Sequence, residues 1–532
     1  MRRWNGWGES AVTHQIPRSA YSRLAQWVGE SSPTGDVTLE SVIHHIPDSR
    51  LAHHPMITDD RETRVRHARG QSVPDWVALR SGRIGRVPDG VVFPTSENQV
   101  SEILRWALDN QVVLIPYGGG TSVVGHINVI SDQPTVTVNL SKLNQLLDID
   151  EVSHLASFGA GISGPELEIH LQTRGFTLGH LPQSFELSTL GGWIATRSTG
   201  QQSCRYGKIE RLFAGCNMIS PIGPLTIKHS PASAAGPDLR ELVLGSEGRM
   251  GIITKATMRI SRIPQSESYR AYFFPDFASG VSAVKEMVQE RIPASMLRLS
   301  SSDETMTTLA LAGMDLLVAL LGKALNLFGI SEGKCMLITG VAGTDKQTRQ
   351  SNSSIWRLAR KHGGMITGKY IGDQWYKTRF TTPYLRNHLW ELGYVIDTLE
   401  TATSWRKLTQ LIPAIETAIH DSVRPTGERV HVFTHVSHVY QDGASIYTSI
   451  LFRAKPDPDE TLNLWRRIKT AASESISASN ATISHQHGIG VDHAPYLLAE
   501  KGELGVSAIH AAAKLFDPRG IMNPGKLVTT EN

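Results

Sequence analysis

A glycine-rich turn directly after a short apolar strand constrains the fold of this chain more than any other feature. The turn reads Ile115-Pro116-Tyr117-Gly118-Gly119-Gly120-Thr121-Ser122-Val123 and follows the apolar, β-branched run 112–115. Such a run predicts a strand covered on both faces, which Pro116 is expected to end. Three glycines let the backbone adopt positive φ and turn its N–H groups inward, and Thr121 and Ser122 add hydroxyl donors. The turn predicts an anion cradle, but it is not the GxxxxGK[ST] loop of nucleotide triphosphatases, because no lysine follows the glycines.

Segments on both sides of the cradle complete an ordered pattern. Before it, Ser96 and Gln99 form a capping-box pair at the start of a predicted helix whose apolar face carries Val100, Ile103, Leu104 and Ala107. After it come three segments rich in glycine and hydroxyl groups: Gln183-Ser184-Phe185-Glu186-Leu187-Ser188-Thr189, Thr196-Arg197-Ser198-Thr199 and Glu247-Gly248-Arg249-Met250-Gly251-Ile252-Ile253. Four segments in this order are a far more specific signal than any one of them.

This order resembles the FAD-binding domain of the vanillyl-alcohol-oxidase family, also called the PCMH type. The resemblance implies that FAD is held by the three later segments and by cradle residues Pro116, Tyr117, Gly118, Gly119, Gly120, Thr121 and Ser122. It also implies non-covalent FAD, since this chain has Gly120-Thr121 where histidine-linked relatives place a histidine.

A literal GxGxxG at residues 159–164 suggests a dinucleotide-binding alternative. A Rossmann fold would also need an acidic residue at the end of a second parallel strand about 20 residues later. The chain there reads Gly179-His180-Leu181-Pro182-Gln183, a broken loop without such an acid. We therefore expect a tight strand-to-helix turn that leads into a helix over 165–172, and no NAD.

Composition indicates a large enzyme without a nucleic-acid partner. The chain has 532 residues, 40% of them hydrophobic, which is enough for two or three cores, and its formal charge is only +3. Its three cysteines share no ligand spacing and fit a reducing compartment. The N-terminal residues lack an apolar signal region, and the last four residues are not an SKL-like peroxisomal address. We expect a cytoplasmic protein.

One apolar segment, residues 308–330, is long enough to be considered as a membrane-spanning or membrane-bound helix. Asp315, Lys323 and Asn326 interrupt it, so a spanning helix is not predicted. A buried core helix and a helix lying in the membrane interface both fit the pattern, and the second would make the protein peripheral to a membrane.

The predicted fold class is α+β, with four parts. Residues 1–86 form a polar and helical N-terminal segment, 87–265 the FAD-binding domain, 266–480 an α+β substrate cap, and 481–532 a helical C-terminal segment that returns to the flavin. The pairs His44-His45 and His53-His54 lack acids or cysteines at ligand spacing, so a solvated segment is expected there and no metal. In the C-terminal part, Ser507 is the expected N-cap of a helix over 507–514.

Residues across the whole chain resemble the alkylglycerone-phosphate synthase (alkyldihydroxyacetonephosphate synthase) family. The matching segments run from Arg3-Trp4-Asn5-Gly6-Trp7-Gly8 through residues 293–299, 383–386 and 442–447 to Asn523-Pro524-Gly525. The resemblance implies exchange of the acyl chain of acyl-dihydroxyacetone phosphate for a long-chain fatty alcohol, a redox-neutral reaction that uses flavin N5 as a covalent trap. It also implies a bacterial-type member, since eukaryotic members carry longer N-termini, and we expect a homodimer.

Family roles fall on five residues of this chain. The resemblance implies that Tyr447 is the general acid/base, that Arg386 is the partner of the leaving carboxylate and that Arg298 maintains the site geometry, while His485 and His487 would bind phosphate. Taken alone, a strand tyrosine is commonly a core residue and a helical arginine a surface residue.

The sequence departs from the family at residues 483–488, where Gln486 replaces the middle of three consecutive histidines. If this segment is extended, His485 and His487 share a face and Gln486 points the other way. Glutamine can bond phosphate or flavin but cannot titrate near neutral pH.

Two other functions remain open. The first is an FAD-dependent 2-hydroxyacid dehydrogenase of the D-lactate or D-2-hydroxyglutarate type, whose relatives carry H-x-G-D-G-N-[LI]-H and S-G-E-H-G-x-G motifs. This chain has Tyr447 and Gln486 where those motifs place a histidine and a glutamate, so two metal ligands are missing and no metal is predicted. The second is a non-catalytic flavoprotein or lipid-binding scaffold.

Overall fold

The computed structural model describes residues 1–311, 322–327 and 329–528. Its α-helices, numbered along the chain, are α1 Tyr21–Val28, α2 Leu39–His45, α3 Arg61–Arg66, α4 Val73–Ser81, α5 Glu97–Asn110, α6 Gly164–Gln172, α7 Leu190–Ala195, α8 Ser203–Tyr206, α9 Ile209–Leu212, α10 Arg240–Val243, α11 Phe277–Gln289, α12 Ser302–Leu311, α13 Asp345–Lys361, α14 Tyr370–Thr378, α15 Leu385–Glu391, α16 Trp405–Val423, α17 Pro458–Ala478 and α18 Leu497–Phe516.

The strands are β1 Ile57–Thr58, β2 Gly90–Val92, β3 Val113–Tyr117, β4 Thr135–Asn139, β5 Leu146–Asp150, β6 Leu155–Gly159, β7 Phe176–Thr177, β8 Phe213–Ser220, β9 Gly223–Ile227, β10 Ile252–Arg259, β11 Ser261–Arg262, β12 Ser266–Phe274, β13 Met296–Ser300, β14 Cys335–Gly343, β15 Met365–Ile366, β16 Tyr394–Ser404, β17 His431–Val439 and β18 Gly443–Arg453.

The predicted FAD-binding domain contains two main sheets and a small two-stranded sheet formed by β7 and β11. The first has the order β1-β2-β4-β3, with β2 and β3 parallel to β4, and the second is antiparallel with the order β5-β6-β10-β8-β9. Helix α5 covers the first sheet with Val100, Ile103, Leu104 and Ala107, as predicted. The Ser96 hydroxyl accepts the Gln99 N–H, so it caps this helix.

The C-terminal segment pairs with β3. Leu114 N–H donates to the Ile521 carbonyl (2.8 Å), and Asn523 N–H donates to the Leu114 carbonyl (2.9 Å). The prediction that Pro116 ends the strand was wrong, since β3 continues to Tyr117. The backbone N–H of Leu114 points away from β4, and the N position of Pro116, two residues later, points the same way. The N–H that proline lacks therefore removes no hydrogen bond between β3 and β4. The C-terminal segment, which was predicted to return to the flavin, therefore pairs with the edge of β3 that faces away from β4.

One feature of the C-terminal segment differs from prediction. Ser507 lies inside α18, which begins at Leu497 and consists of two helical pieces joined at the non-helical residue Gly502 (φ 68°). The expectation that Ser507 caps a helix was wrong, because the helix-forming residues before it already continue the helix, and an interior serine costs little.

The cap is built on a seven-stranded sheet with the order β15-β12-β14-β13-β17-β18-β16, antiparallel throughout. Alternate residues of its central strands enter a core shared with α11, α13, α16 and α17: Leu297, Leu299, Leu337, Val432, Val436, Ile446, Ile450 and Phe452. The residues between them face the opposite way: Arg298, Met336, Ile338, Phe433, His435, Tyr447, Ser449 and Leu451. The two-residue period of a strand therefore separates core from candidate site.

The N-terminal residues pack against the cap, which corrects the expectation of a solvated segment. Trp7, Val73, Trp76 and Val77 join the cap core, and Trp7 exchanges two hydrogen bonds of 3.0 Å with the Asn387 side chain. The expectation failed because it rested on the polar composition of residues 1–86 as a whole, which does not show that α4 carries several apolar residues. The histidines at 44, 45 and 53 are exposed, as expected.

Among the described residues, no helix combines the length and apolar character needed to cross a membrane. Positions 312–321 and 328 of the apolar segment 308–330 lie outside the described residues.

Phe452→Ala should destabilise the cap strongly. The side chain is fully buried in the shared core, and such truncations cost about 3–5 kcal/mol through lost burial and the cavity left behind. A thermal melt should therefore show a clearly lower midpoint. The matched control is Leu504→Ala, since Leu504 is 84% exposed. Equal midpoints for the two variants would contradict the proposed core.

Candidate active site

A continuous cavity of about 900 Å³ lies between the FAD-binding domain, the inner face of the cap sheet, the N-terminal residues and the C-terminal segment. Most of the predicted cofactor residues lie on its wall: Pro116, Tyr117, Gly118, Gly119, Gly120, Thr121, Ser122, Gln183, Ser184, Ser188, Thr189, Thr196, Ser198, Thr199, Glu247, Gly248, Gly251 and Ile253. The four separated segments therefore meet at one site.

The other predicted cofactor residues do not line this wall and instead support it. Phe185 stacks on Phe380, the carboxylate of Glu186 accepts from the Tyr384 hydroxyl, Arg197 pairs with Glu241, and Arg249 donates to the Met522 carbonyl. Leu187 packs against the cap core, while Met250 and Ile252 belong to the FAD-domain cores.

The cradle leaves its backbone N–H groups available. Among the described residues, none of the N–H groups of Gly118 to Thr121 donates to another protein group. A Cβ on Gly119 would lie 2.0 Å from the Leu187 carbonyl oxygen, and one on Gly118 would lie 2.2 Å from Thr189 Oγ1. Glycine is therefore required by close backbone approach, and the exposed N–H groups suit a diphosphate.

Unpaired hydroxyls on the wall also fit a polar cofactor. Within the described chain, Thr189 Oγ1, Thr199 Oγ1 and Ser246 Oγ are buried without a hydrogen-bond partner. Buried hydroxyls without partners are costly, so their position facing one cavity indicates a ligand that bonds them.

Glu247 ties three parts of the chain together beside the cradle. Its carboxylate accepts from the N–H groups of Ile489 (2.5 Å) and Gly490 (2.8 Å) and lies 3.1 Å from His126 Nε2. The Asn523 amide donates to the carbonyls of Glu247 (2.8 Å) and His126 (3.1 Å). His126 follows the cradle by a few residues, and sequence analysis missed it because a lone histidine carries no signal.

Tyr447 lies on the inner face of the cap sheet, on β18 between β16 and β17. The antiparallel registers place Glu400 of β16 and His435 of β17 opposite it. The His435 ring stacks on the Tyr447 ring at 4.7 Å, and the His487 ring meets it edge-on at 6.3 Å. Burial raises the pKa of Tyr447 to about 12, so its hydroxyl is a proton donor at neutral pH.

The two predicted arginines also reach the cavity. Arg386, at the start of α15, donates to the Gln71 carbonyl (3.0 Å) and lies over the Trp76 ring at 4.4 Å. These two contacts fix a permanent positive charge near Tyr447. Arg298 pairs with Glu304 and lies 3.2 Å from His435 Nδ1.

The histidine loop differs from the extended prediction. His485 Nδ1 bonds Glu400 Oε1 (2.9 Å), the Gln486 amide donates to Glu400 Oε2 (2.5 Å), and His487 lies 4.0 Å from the same carboxylate. The expected alternation of faces was wrong, because the segment is a loop and strand periodicity does not apply. Gln486 and His487 line the cavity, whereas His485 lies behind it.

Glu400 is the residue that sequence analysis missed and on which this loop depends. It is 1% exposed, and although burial opposes ionisation, His485, His438 and His487 hold its pKa well below the usual range. The available signal was an acid within residues 394–404, whose valine, isoleucine and threonine residues predict a strand, because an acid that becomes buried in a strand must be paired.

Ligand atoms of Glu400, His438 and His485 lie within 4.8 Å of one another, a spacing that a metal ion could use. Each of the three already has a hydrogen-bond partner in the protein, since His485 bonds Glu400 and Tyr440, and His438 bonds Ser203. The absence of a metal stays a prediction.

Gly119→Ala should weaken FAD binding at least tenfold, because the added methyl group overlaps the Leu187 carbonyl and must displace the cradle. The measurement is the flavin absorbance per protein after purification, together with FAD titration of the stripped protein. Gly35→Ala is the control, since a Cβ there meets nothing within 4 Å. Full flavin content in the Gly119 variant would contradict the cradle assignment.

Comparisons with known proteins agree with this architecture. A family model described as an FAD binding domain matches residues 88–226, and one described as the C-terminal domain of FAD linked oxidases matches residues 263–527. A solved p-cresol methylhydroxylase structure, 12% identical, aligns with a TM-score of 0.68 over 98% of this chain and all of that chain, which shows the fold alone. The predicted α+β PCMH-type fold and the FAD cofactor are confirmed.

More specific likeness covers the whole chain. The alkyldihydroxyacetonephosphate synthase of Dictyostelium discoideum is 31% identical over 89% of this chain and 79% of that protein, and that of Caenorhabditis elegans is 29% identical over 99% and 95%. A solved alkyldihydroxyacetonephosphate synthase structure, 27% identical, aligns with a TM-score of 0.85 over 99% of both chains. The mitochondrial D-lactate dehydrogenase [cytochrome] of Arabidopsis thaliana is 26% identical over 83% of this chain and 74% of that protein. The chain belongs to the alkyldihydroxyacetonephosphate synthase family.

Proposed function

We propose that this protein is an FAD-dependent alkylglycerone-phosphate synthase that exchanges the acyl chain of 1-acyl-dihydroxyacetone phosphate for a long-chain fatty alcohol and forms an ether bond. The observation that carries the proposal is one cavity that joins the cofactor cradle, Arg386 with Tyr447, and an apolar wall. Membership of the family supports it.

The apolar wall suits a long hydrocarbon chain. Along β18 the inner face changes from Tyr447 through Ser449 to Leu451, a distance of about 14 Å at the rise of an antiparallel strand. Beyond Leu451, helix α1 contributes Leu24 and Trp27 to the same wall. Further apolar residues on this wall are Ile16, Leu309, Leu311, Leu385, Leu389, Ile396 and Phe433. Each methylene that is buried there contributes about 0.8 kcal/mol.

The polar end of the cavity supplies the groups that the exchange requires. When bound, FAD would supply an electrophilic ring system for the exchange. Arg386 carries the fixed charge that would stabilise the departing fatty-acid carboxylate. Tyr447 keeps its proton at neutral pH and can donate it to an oxygen of the substrate. His487, whose Nδ1 has no partner among the described residues, is positioned to donate to phosphate.

The 2-hydroxyacid dehydrogenase alternative has weaker support. Gln486 and Tyr447 occupy positions where that subfamily's motifs place metal ligands, and the Gln486 amide is engaged by Glu400. A cytoplasmic location, a peripheral membrane contact and a homodimer remain predictions from sequence; the partition of fatty alcohols into membranes favours the second.

The proposal is tested by anaerobic incubation of the purified yellow protein with palmitoyl-dihydroxyacetone phosphate and hexadecanol, read by mass spectrometry. We expect alkyl-dihydroxyacetone phosphate and free palmitate without net flavin reduction. Bound FAD without ether product would overturn the proposed substrate, and flavin reduction by D-lactate or D-2-hydroxyglutarate would then support the dehydrogenase.

Tyr447→Phe should retain FAD but lower the turnover number by about 100-fold or more, because only the proton-donating hydroxyl is removed. Flavin absorbance and steady-state ether formation are the measurements. Tyr21→Phe, a change on α1 outside the cavity wall, is the control and should behave like the wild type. Unchanged turnover in the Tyr447 variant would contradict its role.

A further inference from the structure

Among the described residues, two buried histidine–glutamate pairs joined by a hydrogen bond lie beside the inner face of the cap sheet, and they differ in what the second ring nitrogen contacts. In the first pair, His485 Nδ1 bonds Glu400 (2.9 Å) and Nε2 bonds the Tyr440 hydroxyl (2.6 Å). Both nitrogens are occupied, and His485 does not line the cavity. This pair has no free position for a substrate.

The second pair, His435 with Glu304, opens onto the cavity. His435 Nδ1 lies 2.8 Å from Glu304 Oε2, and both residues line the wall. In the part of the chain that the structure describes, no protein group bonds His435 Nε2. His435 is 8% exposed and stacks on Tyr447, so its ring lies against the ring of the proposed proton donor.

Charge fixes the tautomer of His435. Although burial opposes ionisation, Arg298 and the hydrogen bond from His435 hold the pKa of Glu304 at about 2, so this carboxylate is an anion and can only accept. Arg298 also lies 3.2 Å from His435 Nδ1, but the carboxylate oxygen is closer, at 2.8 Å. The proton therefore sits on Nδ1, and Nε2 presents a lone pair to the cavity.

We propose that His435 is the catalytic base that accepts the hydroxyl proton of the incoming fatty alcohol, and that Glu304 is its positioning residue. The inference rests on the proposed function. As the alcohol oxygen bonds to the substrate carbon, its proton moves to Nε2, and the bond from that carbon to the fatty-acid carboxylate breaks. The proton then passes to the carboxylate or to solvent, so no electrons are gained or lost overall.

This assignment gives the two stacked rings opposite roles. Burial and Arg298 lower the pKa of His435, which keeps the ring neutral and able to accept a proton, while Tyr447 keeps its own proton. Neighbouring groups whose pKa values are driven apart mark the base and the acid of a site. The charged or titratable groups around His435 are Arg298 on β13, Glu304 on α12, Tyr447 on β18, Glu400 on β16 and His438 on its own strand.

The variants His435→Asn and Glu304→Gln test the assignment in the FAD-loaded enzyme. Loss of a general base should lower the turnover number by about 100-fold or more in His435→Asn, with unchanged flavin absorbance. The matched controls are His362→Asn and Glu286→Gln, from a second histidine–glutamate pair (Nε2 to Oε2, 2.6 Å) outside the cavity, and they should keep wild-type turnover. Wild-type turnover in His435→Asn would overturn the proposal.

The pH profile separates a positioning role of Glu304 from a purely structural one. Wild-type activity should fall toward low pH as His435 takes up a proton. The Glu304 anion raises the pKa of His435, so Glu304→Gln should move this acid limb to lower pH as well as reduce the plateau rate. A reduced plateau with an unmoved limb would overturn the positioning role.

Nitrogen-15 spectra of histidine-labelled protein, with His435 assigned from its Asn variant, provide a readout that does not depend on turnover. We expect the Nδ1–H tautomer in the wild type and its loss in Glu304→Gln. An Nε2–H tautomer in the wild type would overturn the base assignment even if ether product forms. Wild-type protein that binds FAD but forms no ether product would overturn the proposed function instead, and the spectra would still decide the geometry of the pair.

Discussion

The two-residue alternation of the cap sheet is the constraint on which the site depends. On β18, Ile446, Ile450 and Phe452 pack against the helices, and this packing fixes the strand in one register. The same register forces Tyr447 and Leu451 to the opposite face, toward the cavity. A slip by one residue would bury the tyrosine in the core and turn the core residues toward the cavity. The register that buries the apolar residues is therefore the same register that places Tyr447 at the candidate site.

Buried carboxylates hold this inner face together. Glu400 joins β16 to the loop of His485 and Gln486, and Glu304 joins α12 to β13 and β17 through Arg298 and His435. An isolated buried carboxylate would be strongly unfavourable, so each is surrounded by donors that keep it ionised. Removing any one donor would leave a buried charge poorly paired. The relative positions of the elements that Glu400 and Glu304 join therefore depend on a few hydrogen bonds and ion pairs.

The cofactor cradle depends on a different interaction, the close approach of backbone segments. Gly119 meets the Leu187 carbonyl, and the C-terminal segment closes the region through Asn523 and Leu114. No lysine or arginine side chain is needed on the cradle itself, since backbone N–H groups and hydroxyls supply the donors. Precise backbone placement is therefore the feature that makes this an FAD site.

Local signals in the sequence determined the cradle, α5 and the strands around Leu114 and Tyr447, because glycine spacing, capping residues and apolar periodicity act over a few neighbours. The FAD cofactor and the family followed from the resemblance of several ordered segments to a known family. The local signals did not reveal Glu400, Glu304 or His435, whose roles arise from pairing between strands that are far apart in the chain. They also misplaced Gln486, since strand periodicity was applied to a loop. The tertiary structure decided that His435 and His487, but not His485, line the cavity and keep a ring nitrogen that no described residue bonds, because strand register and packing, rather than residue type, set what each ring contacts.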